Sequence, residues 1–205
     1  MKERVLNNPR VEFFDLISCE WDNRHHLNNL SADFESSFDE FGIHPEETVV
    51  DLGCGTGNMT IALLKHLNET GRVIALDISP GMLRRAQAKC SDSRALWFLS
   101  DAESMPMAKG TCDRVICFSA WPHFEDDSAV IREIRRVLKP GGQCHILHFI
   151  SRKSVNSIHS EAHPSVISDV LPPVDELAGL FRENGFSIKE TADNNKAYLL
   201  TALKK

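Results

Sequence analysis

The chain has 205 residues, 42% of them hydrophobic and 25% charged, and carries a formal net charge of −6. That length and composition suit one soluble α/β domain with a sizeable core. The acidic balance, with no Lys/Arg cluster dense enough to track phosphates, excludes nucleic acid as an expected partner, and no apolar run approaches the length of a bilayer span.

Arg132, Arg135, Arg136 and Lys139 come closest to a basic patch, but their spacing fits the solvated face of one helix. The opening Met1-Lys2-Glu3-Arg4 leads into no signal-peptide core. The six cysteines form no C-x-x-C pair, and several fall inside apolar strand runs, where a thiol behaves as a small hydrophobe. A reduced, cytoplasmic setting is the expectation.

Taken in order, residues 1–45 predict a helical lead-in, with amphipathic stretches over 10–17 and 27–41, closed by Gly42-Ile43-His44-Pro45. The β-branched run Thr48-Val49-Val50 continues through Asp51 and Leu52 into Gly53, Gly55 and Gly57. Apolar residues at helical spacing follow from Met59 to Leu64, which reads as strand, glycine turn, helix. A second strand, 72–76, ends on Asp77. Ser79 as N-cap with Pro80 at the first helical position then opens a helix that runs to about Cys90. Strands are expected over 95–99 and 112–118. A helix starts at Asp126 or Asp127 and carries Val130, Ile131, Ile134, Val137 and Leu138 on one face. The fifth strand covers 143–150 and a polar insert covers 151–171. A helix over 174–184 ends before Gly185, and strands over 186–190 and 196–202 close the chain as an antiparallel pair.

Glycine at Gly53 and Gly55 permits positive φ and lets backbone lie against a ligand. An acidic residue about twenty positions beyond such a turn is the usual ribose-hydroxyl partner in nucleotide-binding βαβ units, which singles out Asp77. The spacing G-C-G-T-G departs from the dinucleotide G-x-G-x-x-G fingerprint.

The stretch resembles motif I, D-x-G-x-G-x-G, of class I S-adenosylmethionine-dependent methyltransferases, with Asp51, Gly53, Gly55 and Gly57 at the matching positions. The resemblance spans about residues 48–150, in blocks of correct order and spacing. Phe14 to Asp22 resembles the F-D-x-x-A-x-x-Y/W-D lead-in of small-molecule methyltransferases, including the quinone-biosynthesis type. Ser100-Asp101-Ala102-Glu103 resembles the family's D-A-E block, Cys112 to Val115 its F-D-x-V block, and Leu138 to Gly142 its L-K-P-G-G turn. The resemblance implies a Rossmann-like, doubly wound, seven-stranded sheet, mostly parallel with an antiparallel closing strand, in a single domain. Residues 1–45 would cap it, 46–150 bind the cofactor, 151–171 form an insert or lid, and 172–205 complete it.

It also implies S-adenosylmethionine as cofactor. Contacts would come from Asp51, Gly53, Cys54, Gly55 and Asn58 in the glycine turn, with Trp21 in the cap over it. Asp77 would take both ribose hydroxyls, Ile78 and Met82 would pack on adenine, Asp101 and the Ala102 amide would read its edge, and Glu103 and Phe118 would complete the set. The motifs say little about the acceptor, expected to be a small molecule, because displacement at a sulfonium needs no acid and needs a base only when the nucleophile carries a proton. His123, after strand four, and His148, late in strand five, are the catalytic candidates, and no metal is assigned. His159 and His163 stand at i, i+4, which would place them on one face if the insert is helical there; they read either as a metal pair or as surface residues. A monomer or homodimer is expected. A binding module that keeps the cofactor but not turnover is the alternative, and a nicotinamide-dependent oxidoreductase is disfavoured by the G-x-G-x-G spacing and the D-A-E and L-K-P-G-G blocks.

Overall fold

The computed structural model describes residues 8–24 and 30–205. The part of the expected second lead-in helix at 27–29 lies outside the described residues. Among the described residues, seven strands belong to one sheet, in the order β3-β2-β1-β4-β5-β7-β6. The chain divides into two compact units, 1–101 and 102–205.

The first unit begins with helices α1 (Pro9–Ile17), α2 (Trp21–Arg24) and α3 (Ser31–Phe41). Asn8 caps α1 by accepting from the Arg10 amide at 2.9 Å. Gly42 ends α3 with φ 62°, the left-handed conformation that glycine adopts at low cost. Strands β1 (Thr48–Leu52), β2 (Arg72–Asp77) and β3 (Ala95–Leu99) pair in parallel, joined by α4 (Asn58–His66) and α5 (Pro80–Lys89). Parallel strands covered on both faces read as continuous apolar runs rather than alternation. Val49, Val50, Val73, Ala75 and Leu76 are accordingly buried, as are Met59 and Leu63 of α4 and Phe34 and Phe38 of α3. Ser79 caps α5 as its sequence requires, its hydroxyl accepting from the Met82 amide at 3.0 Å.

The second unit holds β4 (Cys112–Phe118), a 3₁₀ turn (Trp121–His123), α6 (Asp127–Val137), β5 (Leu138–His148), α7 (Arg152–Ser160), α8 (Val174–Glu183), β6 (Phe186–Asp193) and β7 (Tyr198–Lys204). Strands β4 and β5 are parallel; β7 runs antiparallel to both β5 and β6. Asp126 is the N-cap of α6, accepting from the Ala129 amide at 2.9 Å. Val130, Ile131, Ile134 and Val137 are fully buried, as their spacing predicts. Strand β5 starts at Leu138, earlier than the expected 143, because Leu138 already pairs with Cys112. Lys139 to Gly142 then loop out, with Gly141 at φ 76°, before pairing resumes at Gln143. The polar insert is more ordered than its composition suggests. Asn156 clamps Leu171 through both backbone groups, at 3.1 and 2.8 Å, folding 161–171 back along α7.

Candidate functional site

In the first unit the glycine turn leaves β1 on Asp51 and enters α4 at Asn58. The amides of Gly53 and Cys54 both donate to the Leu76 carbonyl at 2.9 Å, which pins the turn to the end of β2. Gly53, Gly55 and Gly57 all have positive φ. At Gly57 an added Cβ would lie 3.0 Å from the Ala86 Cβ and 3.1 Å from the Trp97 ring, so the loop closes tightly on α5 and β3. At Gly55 the space is open, and a Cβ would meet only the Trp21 indole nitrogen at 3.9 Å. The turn therefore presents bare backbone at Gly55, beneath Trp21.

Asp77 ends β2 under this loop. One carboxylate oxygen accepts from the Gly55 amide at 2.8 Å and the other from the Ser79 amide at 2.8 Å. Burial pushes its carboxyl up to about 6 against the pull of those amides. Asp51 is buried and accepts from the Thr60 hydroxyl at 2.5 Å. Burial raises it to about 7, the Thr60 bond opposes the rise, and the nearby Asp77 charge adds to it. Two desolvated carboxyls beside bare backbone form the kind of arrangement found at functional sites rather than in a packed core.

The other sequence-predicted cofactor residues divide clearly. Asn58 and Ile78 are half-buried around the turn, and Met82 is buried in α5. Cys54 turns into the core, packed with Ala75, Leu83 and Trp97, and burial raises its thiol far above the ordinary range, so its side chain is structural. Asp101 closes the first unit. In the second, Ala102 is buried and Glu103 accepts from the Asp126 amide at 3.2 Å, which anchors the D-A-E segment to the start of α6. The Phe118 ring stacks obliquely on Phe149, 5.1 Å between centroids.

Two carboxylates in the lead-in hold the glycine turn and the start of α5, and sequence reasoning did not single them out. Asp22 accepts from Thr56 at 2.5 Å, Asn58 at 2.9 Å and Lys89 at 2.7 Å, joining the cap, the glycine turn and the end of α5. Its carboxyl sits below the usual range: burial raises it, but the Lys89, Thr56 and Asn58 hydrogen bonds and the Lys89 charge outweigh that. Asp15 accepts from the Ser79 hydroxyl at 2.5 Å and the Gly81 amide at 2.6 Å, docking α1 on the N-terminus of α5. The available signal was the F-D…W-D pattern itself, since Asp15 and Asp22 are its two acids.

In the second unit, His123 ends the 3₁₀ turn that follows β4. Its Nδ1 lies 2.6 Å from a carboxylate oxygen of Asp169 in the insert. His159, in the last turn of α7, donates through Nδ1 to the Asp169 carbonyl at 2.8 Å, and its ring centroid is 4.8 Å from that of His123. His148 closes β5, 2% exposed, with its Nε2 unpartnered among the described residues. Burial, with His123 and His159 beside it, pushes His148 down to about 3. The buried ring is therefore held in its neutral form. His123 and His148 thus come together, and the structure adds Asp169 and His159. His159 and His163 do not form a helical pair, because α7 ends at Ser160 and His163 bonds Ser165 locally. Among the described residues, no group of three or more His, Cys, Asp or Glu side chains is placed to hold a metal.

This strand order, with a D-x-G-x-G-x-G turn leaving β1, defines the Rossmann-like fold of class I methyltransferases. Residues 49–142 match the family model described as a methyltransferase domain. Ubiquinone/menaquinone biosynthesis C-methyltransferase UbiE of Klebsiella pneumoniae is 31% identical over 140 residues, covering 66% of this chain and 55% of that protein. A chain from the complex between the Haloferax volcanii Trm112 methyltransferase activator and a methyltransferase superposes with TM-score 0.78 at 21% identity, covering 93% of this chain and 96% of its own. An S-adenosylmethionine-dependent methyltransferase from Aquifex aeolicus gives 0.72 at 20% identity, covering 86% and 92%. Through residues 49–142 the chain resembles class I, S-adenosylmethionine-dependent methyltransferases, the quinone-biosynthesis enzymes among them. It spans about half the length of the curated relatives it matches.

Proposed function

We propose that the protein transfers the methyl group of S-adenosylmethionine to a small-molecule acceptor in a reduced, cytoplasmic setting. The carrying observation is the Gly55 backbone, open beneath Trp21 and bonded to the Asp77 carboxylate. A bound S-adenosylmethionine supplies an electrophilic methyl on a sulfonium, whose departure as a neutral thioether needs no acid.

The chain's own part is binding, orientation and water exclusion. Asp77 is assigned to the ribose hydroxyls, and Asp51 to the amino-acid end through the loop it starts. Ile78 and Met82 are assigned to the adenine face, Asp101, Ala102 and Glu103 to its edge, and Trp21, Asn58 and Phe118 to the walls. The Asp22 bonds pre-order the loop and those of Asp15 the start of α5, so that binding spends little on ordering them. Holding acceptor and methyl in line is worth up to about 7–11 kcal/mol in favourable cases. Acceptor handling falls to His123 and His148.

Calorimetric titration with S-adenosylhomocysteine, then with NAD, tests this reading. Micromolar binding of the first and none of the second is expected; the reverse would refute it.

A protein partner is a second proposal. The terminal strand β3 exposes Leu96, Phe98 and Leu99, 37–47% each, which is unusual for an edge and suits strand-to-strand pairing with an activator like that of the Haloferax neighbour. Co-expression with a Trm112-type protein should give a complex that Leu96→Lys with Phe98→Lys abolishes, and an unaffected complex would rule out this edge.

A further inference from the structure

We infer that His123, Asp169 and His159 form a proton-accepting site for an acceptor bearing an ionisable hydroxyl, with His123 as the base and Asp169 and His159 as positioning residues. The inference rests on the methyltransferase reading and adds the acceptor chemistry that the motifs leave open.

The Asp169 carboxylate is 2% exposed and takes the His123 Nδ1–H at 2.6 Å, while the His123 side chain is 13% exposed. The carboxylate thus fixes the proton on Nδ1 and makes Nε2 the basic nitrogen of the ring. It also places a negative charge where an imidazolium would form, as a base oriented by a third group requires. His159 binds the same residue through the backbone carbonyl at 2.8 Å, which fixes its own tautomer and holds its ring 4.8 Å from His123. One residue, Asp169, therefore orders two imidazoles from two different elements, His123 through its carboxylate and His159 through its carbonyl.

Three further features set this apart from a structural tie. The turn that presents His123 begins at Ser119, whose φ of 54° is the only positive value at a non-glycine among the described residues. Strain of that kind persists where the surroundings over-determine it, and such sites cluster at functional centres. The buried Nε2 of His148, a neighbour of this cluster, has no hydrogen-bond partner among the described residues. Neither has the buried hydroxyl of Tyr198, whose ring meets that of His148 edge-on at 5.9 Å. Buried polar atoms are normally satisfied, so two adjacent orphans beside an oriented base are reserved for a polar ligand.

The step balances without a further reactant. The acceptor oxygen forms its bond to the methyl carbon as the carbon–sulfur bond breaks, and the sulfur leaves with that electron pair as a neutral thioether. The hydroxyl proton passes to His123 Nε2, so the positive charge ends on an imidazolium paired with the Asp169 carboxylate.

The test uses the full chain saturated with S-adenosylhomocysteine and para-nitrophenol as probe, at a pH below the probe's own pKa. A base at this site should develop the nitrophenolate absorbance on binding. His123→Gln should reduce that band at least about tenfold, and Asp169→Asn about three- to tenfold, with Asp169→Glu recovering it. S-adenosylhomocysteine affinity within about twofold of wild type certifies each variant as folded; His159→Gln, at a half-buried position, extends the comparison if Asp169→Asn fails that check. No bound nitrophenolate in wild type, or a band that survives in His123→Gln, overturns the inference while leaving the cofactor reading standing. Failure of S-adenosylhomocysteine to bind at all overturns the methyltransferase reading, and this inference with it.

Discussion

Replacing Asp51 with Asn should stabilise the protein at alkaline pH while weakening cofactor binding. Asp51 is 1% exposed, and its carboxyl is raised from the ordinary 3.8 to about 7, first by burial and then by the charge of Asp77. The folded state therefore prefers the neutral acid, whereas the unfolded chain ionises from about pH 4 upward. Wild-type stability falls as pH rises from about 4 to 7, because across that window the unfolded state has released a proton that the folded state keeps. At about 1.4 kcal/mol per pH unit the full penalty is ~4 kcal/mol, an upper bound once relaxation around the carboxylate is allowed for. Asparagine keeps an oxygen for the Thr60 hydroxyl but carries no charge, so the variant escapes this penalty. Its amide N–H₂ adds a cost of about 1–3 kcal/mol if unsatisfied, and that cost does not vary with pH. The decisive quantity is hence the change with pH in the stability difference between variant and wild type. Urea unfolding near pH 4.5 and near pH 8 should show Asp51→Asn gaining about 2–3 kcal/mol on wild type between the two. Parallel pH profiles would refute the claim that Asp51 is held protonated. A carboxyl that costs stability in the core yet sits at the mouth of the glycine turn is the trade expected of a binding residue.

Three other perturbations follow from the same geometry. Asp22→Ala removes the shared acceptor of Thr56, Asn58 and Lys89 and should weaken S-adenosylhomocysteine about tenfold, ~1.4 kcal/mol by calorimetry, without abolishing it. Gly81→Ala drives a Cβ to 2.7 Å from the Asp15 carboxylate and 3.0 Å from its Cα, and should cost about 1–3 kcal/mol and expose 8–24 to limited proteolysis. His148→Phe removes a histidine whose folded pKa is lowered to about 3, so the acid-side loss that begins below about pH 6.5 in wild type should shrink. The melting temperature of the variant relative to wild type should then be higher near pH 5 than near pH 7.5, and the opposite ordering would contradict a buried neutral His148.

The fold was legible where local chemistry and global structure agree. β-branched runs bounded by glycine gave β1 and β2, and Ser79 and Asp126 announced their helices because a short polar side chain can bond the first free amides. The start of β5 was misplaced because Pro140, Gly141 and Gly142 look like a terminator, while Leu138 still pairs with Cys112. The contacts that assemble the candidate site were harder to read. Asp15 reaches Ser79 across 64 residues and His123 reaches Asp169 across 46. Periodicity describes which face of an element is buried and carries no information about which polar partner waits there. The i, i+4 spacing of His159 and His163 would place them on one face only if the helix continued past Ser160, and it ends there.

That difference follows the division of labour in the reaction. The cofactor is an invariant ligand, so the residues assigned to it sit in contiguous turns whose backbone conformation constrains their sequence, as the three positive-φ glycines between Asp51 and Asn58 do. An acceptor must be met by side chains drawn from separate elements, and the proposed site draws on a 3₁₀ turn, the end of β5, the last turn of α7 and the segment after it. Nothing local ties those positions together except the hydrogen bonds they make once folded. The two that matter most converge on a single residue, Asp169, through its carboxylate and its carbonyl. An insert that merely bridged β5 and α8 could do so with any polar sequence. One that buries an aspartate to hold two imidazoles is constrained by chemistry, and the hydroxyl of the proposed acceptor is the chemistry that this arrangement fits.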